Sequence, residues 1–415
     1  MNPTPRLPTE HEALLALNRR RFLTTAGTVT AGLTLLPSAA VRSAEAGHRI
    51  KIGLVGCGGR GRWITNLFAR HGGYEVVGVF DYFSDRANQA GDQFKVPAAA
   101  RYTGLYGYRK LLEQPGLDAV VIQSPPFFHP EQAQDAVAAG KHVYLAKPIA
   151  VDVPGCQSIG ASGAQATAKR LVFLVDFQTR ANPAYQEVVR RVREGQIGKL
   201  VLGEATYHCG PTFPQLKDAL KGRENDPEAR LRAWGIDRVL SGDVITEQNI
   251  HALDVATWFT DSDPLRATGT GGLARGFGTC WDHFAVIFWF PGDLLVSFNS
   301  KQMGHGHDDI LCRMYGTQGT VDTHYAGKVS LSAIDDGFNG NSANLYETGT
   351  VANIALFHDH IVKGDHRNAT VAPSVRSNLT TILGRLAAYE QRVVTWDEMM
   401  RRAERWEFRT EGLKL

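Results

Sequence analysis

Gly56-Cys57-Gly58-Gly59-Arg60-Gly61 carries the clearest chemistry in this chain. Three glycines at this spacing form a turn that can cradle a pyrophosphate. Gly56 permits the tight turn, Gly58 lets the backbone approach a phosphate, and Gly61 lets a helix pack closely on a strand. Gly59 and Arg60 stand at the helix start, whose free N–H groups and positive dipole end face the anion. Asp81 lies 20 residues past Gly61, where a carboxylate can accept from both ribose hydroxyls. A 2′-phosphate there would meet a negative charge, so NAD is favoured over NADP. Arg86 weakens that preference.

A second group is Glu247, His251 and Asp254, at i, i+4 and i+7. On one continuous helix these share a face. Imidazole titrates near neutral pH, so His251 is the natural general base for a hydroxyl proton. Glu247 would orient that ring or bond a neighbouring substrate hydroxyl. Asp254 would anchor the helix or a domain interface. A metal reading of Glu247 and His251 lacks a third ligand, so no metal is expected. The polar run His305, His307, Asp308 and Asp309 reads as a solvated loop or a rim.

These residues need elements to hold them. The apolar run 50–55 precedes the glycine turn as a buried strand, and residues 62–71 can form a helix. Runs at 75–80, 117–123 and 142–146 read as further strands, with a helix at 131–139. The alternation predicts a parallel sheet with helices on both faces over 47–170, a Rossmann dinucleotide-binding domain. The strand ending at Gln123 runs into Ser124-Pro125-Pro126, where such sheets collect ligands. Ser124 and Pro125 are therefore expected at the cofactor.

From about Leu171 the texture changes to an α+β pattern with a mainly antiparallel open sheet, spanning 171–415. Strands are expected at 171–178, 200–208, 311–315 and 320–324. A hairpin is expected over 280–290 and 294–301, around Pro291-Gly292-Asp293. Helices are expected at 183–194 and 374–389. Residues 213–238 read as a loop or short helices over the site, and 335–350 as another loop. Gln178 and Arg180 end a strand and are expected to face the cleft. Arg232 and Trp234 lie on the polar loop, where Arg can donate to hydroxyls and Trp can stack on sugar C–H surfaces or anchor the core.

The 415 residues allow two domains, and 43% hydrophobic with 21% charged residues is ordinary for a globular protein. A net charge of +3 pulls neither toward nucleic acid nor toward an anionic membrane. Five scattered cysteines show no zinc spacing, and Cys57 reads as a small packing residue.

The N-terminus reads as an address. Arg19-Arg20-Arg21-Phe22-Leu23 resembles the twin-arginine export signal, 22–41 carries no charge, and Ala44-Glu45-Ala46 suits cleavage. Residues 1–46 are thus expected to be a signal peptide sending the protein to the periplasm or outside. The stretch is too rich in Thr, Gly and Ala for stable membrane insertion. Twin-arginine export moves folded proteins, so a cofactor made in the cytoplasm would be loaded first.

Two further segments carry a family resemblance. One is Ala139-Gly140-Lys141-His142-Val143-Tyr144-Leu145-Ala146-Lys147-Pro148. The other is Gly242-Asp243-Val244-Ile245-Thr246-Glu247-Gln248-Asn249-Ile250-His251-Ala252-Leu253-Asp254. With the glycine turn they resemble the Gfo/Idh/MocA oxidoreductases, the group of glucose-fructose oxidoreductase and inositol dehydrogenase. The resemblance runs from Ile50 to about Met400, through Asn182-Pro183-Ala184-Tyr185, Gly195-Gln196-Ile197-Gly198 and Thr395-Trp396-Asp397-Glu398-Met399.

The resemblance implies that Lys147 sits beside the nicotinamide and stabilises developing alkoxide charge. It places His129 near the nicotinamide or ribose, with a structural role as the alternative. This chain has Ala146 where the family has Glu, and Glu247 where Asp is common. An NAD(H)-dependent oxidoreductase acting on a secondary hydroxyl of a sugar, cyclitol or glycoside follows, with a homo-dimer or homo-tetramer as its assembly. Two alternatives stay open. One is a glycoside hydrolase or lyase working by transient oxidation and elimination. The other is a dinucleotide-binding sensor without catalysis.

Overall fold

The computed structural model describes residues 49–334 and 336–415. The expected signal peptide, 1–46, lies outside the described residues.

The first layer is a six-stranded parallel sheet of β1 (Ile50–Val55), β2 (Tyr74–Phe80), β3 (Arg101–Tyr102), β4 (Ala119–Ile122), β5 (His142–Ala146) and β6 (Phe173–Asp176). Its order is β3-β2-β1-β4-β5-β6. The order reverses between β1 and β4, which opens a crevice at their carboxyl ends. The strands read as near-continuous apolar runs because helices cover both faces. These helices include α1 (Gly59–His71), α2 (Ser84–Phe94), α3 (His129–Ala138) and α4 (Val153–Ala168). The Asp152 carboxylate caps α4 by accepting from the Gly155 N–H, 2.7 Å.

Helix α5 (Pro183–Arg193) links to the second layer. The Asn182 side chain accepts from Ala184 and Tyr185, Pro183 opens the first turn, and Arg190, Arg191 and Arg193 close the last. The second sheet contains β7 (Leu200–Cys209), β8 (Arg266–Gly272), β9 (His283–Phe290), β10 (Leu294–Gln302), β11 (Asp309–Gly316), β12 (Gly319–His324), β13 (Lys328–Ala333), β14 (Gly337–Asn341) and β15 (Val394–Thr395). Its order is β14-β13-β12-β11-β7-β10-β9-β8-β15, and only β7–β10 pairs in parallel. The expected hairpin is β9–β10, with Phe290 opposite Leu294.

Phe284, Val286, Phe288 and Phe290 alternate inward along β9 and are buried. Each contributes about 1.5–3 kcal/mol of burial. The covering helices are α6 (Val244–Glu247), α7 (Ile250–Thr260) and α9 (Val371–Glu390), whereas α8 (Leu345–Lys363) packs on the first sheet, where Ile354 and Phe357 meet Phe68 and Tyr144. No helix among the described residues is long and apolar enough to cross a membrane.

Three expectations need correction. The stretch 335–350, expected as a loop, holds strand β14 and the start of α8, because the Gly/Asn-rich run pairs at the sheet edge. Strand β8 was not expected, since its three glycines weaken a strand signal; pairing with β9 and β15 holds it. The helix carrying Glu247 and His251 is interrupted. The Asn249 N–H bonds back to Val244 O at 2.9 Å, one residue too far for an α-helix, and α7 starts afresh.

Candidate active site

The glycine turn follows β1 at the crevice. Gly56 has φ +97°, and a Cβ there would lie 2.6 Å from the Gln123 backbone. A Cβ on Gly61 would lie 1.9 Å from Gly56 O. Gly58 and Gly59 instead face open space, with nothing within 4 Å of an added Cβ. The first bond across the α1 entrance is Arg62 N–H to Gly58 O, 3.0 Å. The N–H groups of Gly59, Arg60 and Gly61 precede it and suit an anion.

Asp81 ends β2. Its carboxylate accepts from Cys57 N–H at 2.8 Å and Phe83 N–H at 2.9 Å. It thereby fixes the turn while keeping lone pairs for a ribose. Burial raises its pKa, and the two backbone bonds and Arg86 pull it back. Beside it lies an apolar slot lined by Gly56, Asp81, Tyr82, Phe83, Ser124 and Pro125. The Ser124 hydroxyl donates to Gln132 Oε1 at 2.5 Å.

A larger cavity of about 680 Å³ continues from the glycine turn. Lys147, at the end of β5, Glu247, at the end of α6, and His251, at the start of α7, all line it. Lys147 Nζ donates to the Glu247 carbonyl at 2.6 Å and lies 3.8 Å from its Oε1. Burial lowers the Lys147 pKa, and the Glu247 carboxylate works against that. The Glu247 carboxylate is thus turned to Lys147. No hydrogen bond joins it to His251, so the orienting role gives way to pairing with the ammonium.

His251 is 7% exposed, and its Nδ1 is buried without a partner among the described residues. Tyr325 packs edge-on at 5.1 Å and Phe177 at 6.5 Å. Burial, then the charges of Lys147 and Arg60, hold the ring well below the usual imidazole range. These causes hold the ring in its neutral form, with Nδ1 free of a partner among the described residues.

Arg60 leaves the glycine turn and enters the same cavity. It donates to Asp176 Oδ2 at 2.7 Å and to the Tyr346 hydroxyl at 2.7 Å. Asp176, fully buried at the end of β6, also accepts from Asn353 and Gln178. Gln178 lines the cavity, but its amide is taken up by Asp176 and Thr350.

Trp234 and Arg232 line the cavity on the expected short helices. Arg232 stacks over Phe83 at 3.9 Å and reaches Asp85 on α2 at 3.3 Å, toward the Asp81 end. Arg180 does not line the cleft. It forks onto Asp254 at 2.9–3.1 Å and covers Trp258. Asp254 also accepts from Ser377, so its carboxylate is taken up by Arg180 and Ser377, and the interruption at Asn249 breaks the helical register between Glu247 and α7.

His129 is also away from the cleft. Its ring nitrogens lie 2.8 Å from Pro148 O and 2.8 Å from Ser124 O, joining the loops after β4 and β5. Burial pulls its pKa down to about 4, while the two carbonyls act the other way. Its role is thus the structural alternative.

Residues absent from the expectations also line the cavity: Gln123, Tyr207, Tyr325 and Tyr346. Both amide atoms of Gln123 are buried without partners among the described residues. Its place at a strand's carboxyl end was the available signal. The tyrosines come from distant segments and carry no local signal.

Comparison with known proteins bears on the family and the fold. Residues 50–174 match the model "Oxidoreductase family, NAD-binding Rossmann fold", and 185–322 match the GFO/IDH/MocA C-terminal domain. An alpha-N-acetylgalactosaminidase of Shewanella oneidensis is 30% identical over 215 residues, 46% of each chain. The match thus spans about half the length of that relative. An inositol 2-dehydrogenase of Acidothermus cellulolyticus is 28% identical over 276 residues, 66% of this chain and 72% of its own. A structure of levoglucosan dehydrogenase with NADH and levoglucosan shares the fold at TM-score 0.67 and 17% identity, covering 84% of this chain and 99% of that one. With an NAD-binding Rossmann domain and a matching second domain enclosing one cleft, the chain belongs to the Gfo/Idh/MocA oxidoreductase family.

Proposed function

We propose that the protein is an NAD(H)-dependent oxidoreductase acting on a secondary hydroxyl of a sugar, cyclitol or glycoside. The observation that carries this is the convergence of Lys147, Glu247 and a neutral His251 in the cavity that begins at the glycine turn. Bound NAD supplies the hydride acceptor. The residues that would hold it are Gly58, Gly59, Arg60 and Gly61 at the pyrophosphate and Asp81 with Ser124 and Pro125 at the adenosine end. The Asp81 carboxylate favours NAD over NADP.

In the forward direction His251 accepts the hydroxyl proton. The Lys147 ammonium donates to the same oxygen and offsets its charge. Glu247 keeps that ammonium in place. With the proton taken up by His251 and the oxygen held by Lys147, the alcohol carbon would be set to give up its hydride to the bound nicotinamide and become a ketone. Trp234, Tyr207 and Tyr325 offer faces for sugar C–H surfaces. The inositol dehydrogenase and levoglucosan dehydrogenase likenesses support a polyhydroxylated substrate.

The test is NADH formation at 340 nm with myo-inositol, levoglucosan and common aldoses, together with mass analysis of nucleotide released on denaturation. Lys147→Met and His251→Asn should each lower turnover at least 100-fold. Full turnover in both would overturn the roles of Lys147 and His251. The N-terminal signal supports export with the cofactor already loaded and recycled on a second substrate. Fractionation and the released nucleotide check this.

The second reading, hydrolysis by transient oxidation, is favoured by the likeness to the Shewanella oneidensis enzyme. The same residues would serve. Aglycone release from a nitrophenyl glycoside without net NADH distinguishes it.

A further inference from the structure

Lys147 follows strand β5 and Glu247 ends helix α6, yet their side chains meet at 3.8 Å. A helix far along the chain holds both backbones. Along α9, residues Asn378, Thr381, Arg385 and Tyr389 recur at helical spacing on one face. Such a stripe would ordinarily face water, but Asn378 and Thr381 are fully buried and Arg385 is 4% exposed.

Each residue of the stripe bonds a catalytic loop. Asn378 accepts from Ile149 N–H at 3.0 Å and donates to Ala150 O at 3.1 Å, clasping the chain just past Lys147. Thr381 donates to the Thr246 hydroxyl at 3.0 Å, and Tyr389 donates to Asp243 Oδ2 at 2.6 Å, both just before Glu247. Arg385 reaches both loops at once. Its Nη1 donates to Gly242 O at 2.7 Å and its Nη2 to Val151 O at 2.8 Å. The Trp406 ring covers the guanidinium at 3.7 Å.

We propose that Arg385 is a positioning residue whose single guanidinium sets the separation of the Lys147 and Glu247 loops, with Asn378 fixing the first loop alone. A planar fork can span two carbonyls that a point ammonium cannot. A rigid clamp of this kind keeps reacting groups within the narrow tolerance that catalysis needs. Its importance for turnover rests on the proposed roles of Lys147, Glu247 and His251; the clamp itself is measured without substrate.

The experiment is hydrogen exchange on the full chain bearing Arg385→Met, Arg385→Lys or Asn378→Asp, with competitive acetylation of Lys147 over pH. Both Arg385 variants should speed exchange at least tenfold in 149–152 and 242–247 together, leaving β1 and α1 unchanged. Asn378→Asp should speed 149–152 only. Lys147 should become several-fold more reactive in the Arg385 variants, with its titration moving up toward ordinary lysine. Arg385→Lys keeps the charge and most of the volume, so it decides the matter if Arg385→Met does not fold. A folded Arg385 variant with exchange raised in one loop or neither, and Lys147 labelling unchanged, overturns the clamp. Inactivity of Lys147→Met and His251→Asn is judged separately, so the two readings fail independently.

Discussion

Arg60 Nη2 stands 2.7 Å from Asp176 Oδ2, tying the first turn of α1 to the carboxyl end of β6. The pair joins the glycine-turn end of the cleft to the wall near Lys147 and His251. Arg60 depresses the titration of both these groups, so the pair also shapes the electrostatics of the site.

Asp176→Asn should therefore weaken two properties together. Asp176 accepts from Arg60, Asn353 and Gln178, and an amide cannot accept from all three while presenting its own N–H groups. Breaking a buried pair costs about 3–5 kcal/mol, and the partial exposure of Arg60 brings this to about 2–3. Urea unfolding should register that loss. NADH affinity, followed by fluorescence, should fall roughly tenfold as Arg60 and the α1 entrance loosen. Unchanged stability and affinity would refute the linkage.

The sequence made part of this site legible. The glycine turn and Asp81 could be read because one βαβ unit is local, with its strand, turn and helix contiguous. The apolar run before Lys147 put it at a strand end, and its place at the site came from the family resemblance. Glu247 and His251 reach the cleft as expected, but the continuous helix does not survive the extra residue at Asn249, and Asp254 turns to Arg180. Arg180 was misplaced because position at a strand end does not reveal a carboxylate arriving 74 residues later. Asp176, Tyr325 and Tyr346 meet only through tertiary packing. The polar stripe on α9 was visible as residues, but its burial was not, since spacing cannot tell a solvated face from one that bonds backbone loops.

Acid should destabilise the fold through buried neutral histidines. His251 is held well below the usual range by burial, Lys147 and Arg60. His142 is pulled down to about 4 by burial, and its Nδ1 accepts from Val172 N–H at 2.8 Å. Both bind a proton more readily in the unfolded chain. Their contribution is therefore complete above the unfolded value of about 6.5 and declines as pH falls below it. From pH 7.5 to 5, His142 alone should lose about 2 kcal/mol. His251→Asn should make the stability-versus-pH curve shallower in that window. For turnover, the alkaline limb should begin below the ordinary lysine range, because burial lowers Lys147. An alkaline limb at the free-lysine value would contradict the assignment.

Gly58 and Gly61 should respond differently to alanine. At Gly61 the new Cβ meets Gly56 O at 1.9 Å, so α1 must move from β1 and both stability and NADH binding should suffer. At Gly58 it meets nothing within 4 Å, and φ is −63°. Gly58→Ala should keep its melting temperature within about 2 °C while NADH binding weakens at least tenfold, since the methyl occupies space the pyrophosphate approaches. Wild-type affinity in folded Gly58→Ala would remove the pyrophosphate from that position.

The open face of the second sheet should carry self-association. Leu202 on β7 pairs in register with Leu295 on β10, which pairs with Trp289 on β9, so three large apolar side chains form a row across adjacent strands. Leu202 is 43% exposed, Leu295 37% and nearby Ile287 42%. Apolar residues contiguous across three strands mark an interaction surface rather than scattered exposure. A sheet face of this width can supply the roughly 800 Å² per partner of a stable interface. Leu202→Glu with Leu295→Glu would bring like charges face to face across a twofold sheet-on-sheet contact, while both side chains remain in water in the monomer. Sedimentation should therefore show an oligomer for the native chain and a monomer, with an unchanged melting temperature, for the double variant. An oligomer that survives both charges would place the contact elsewhere.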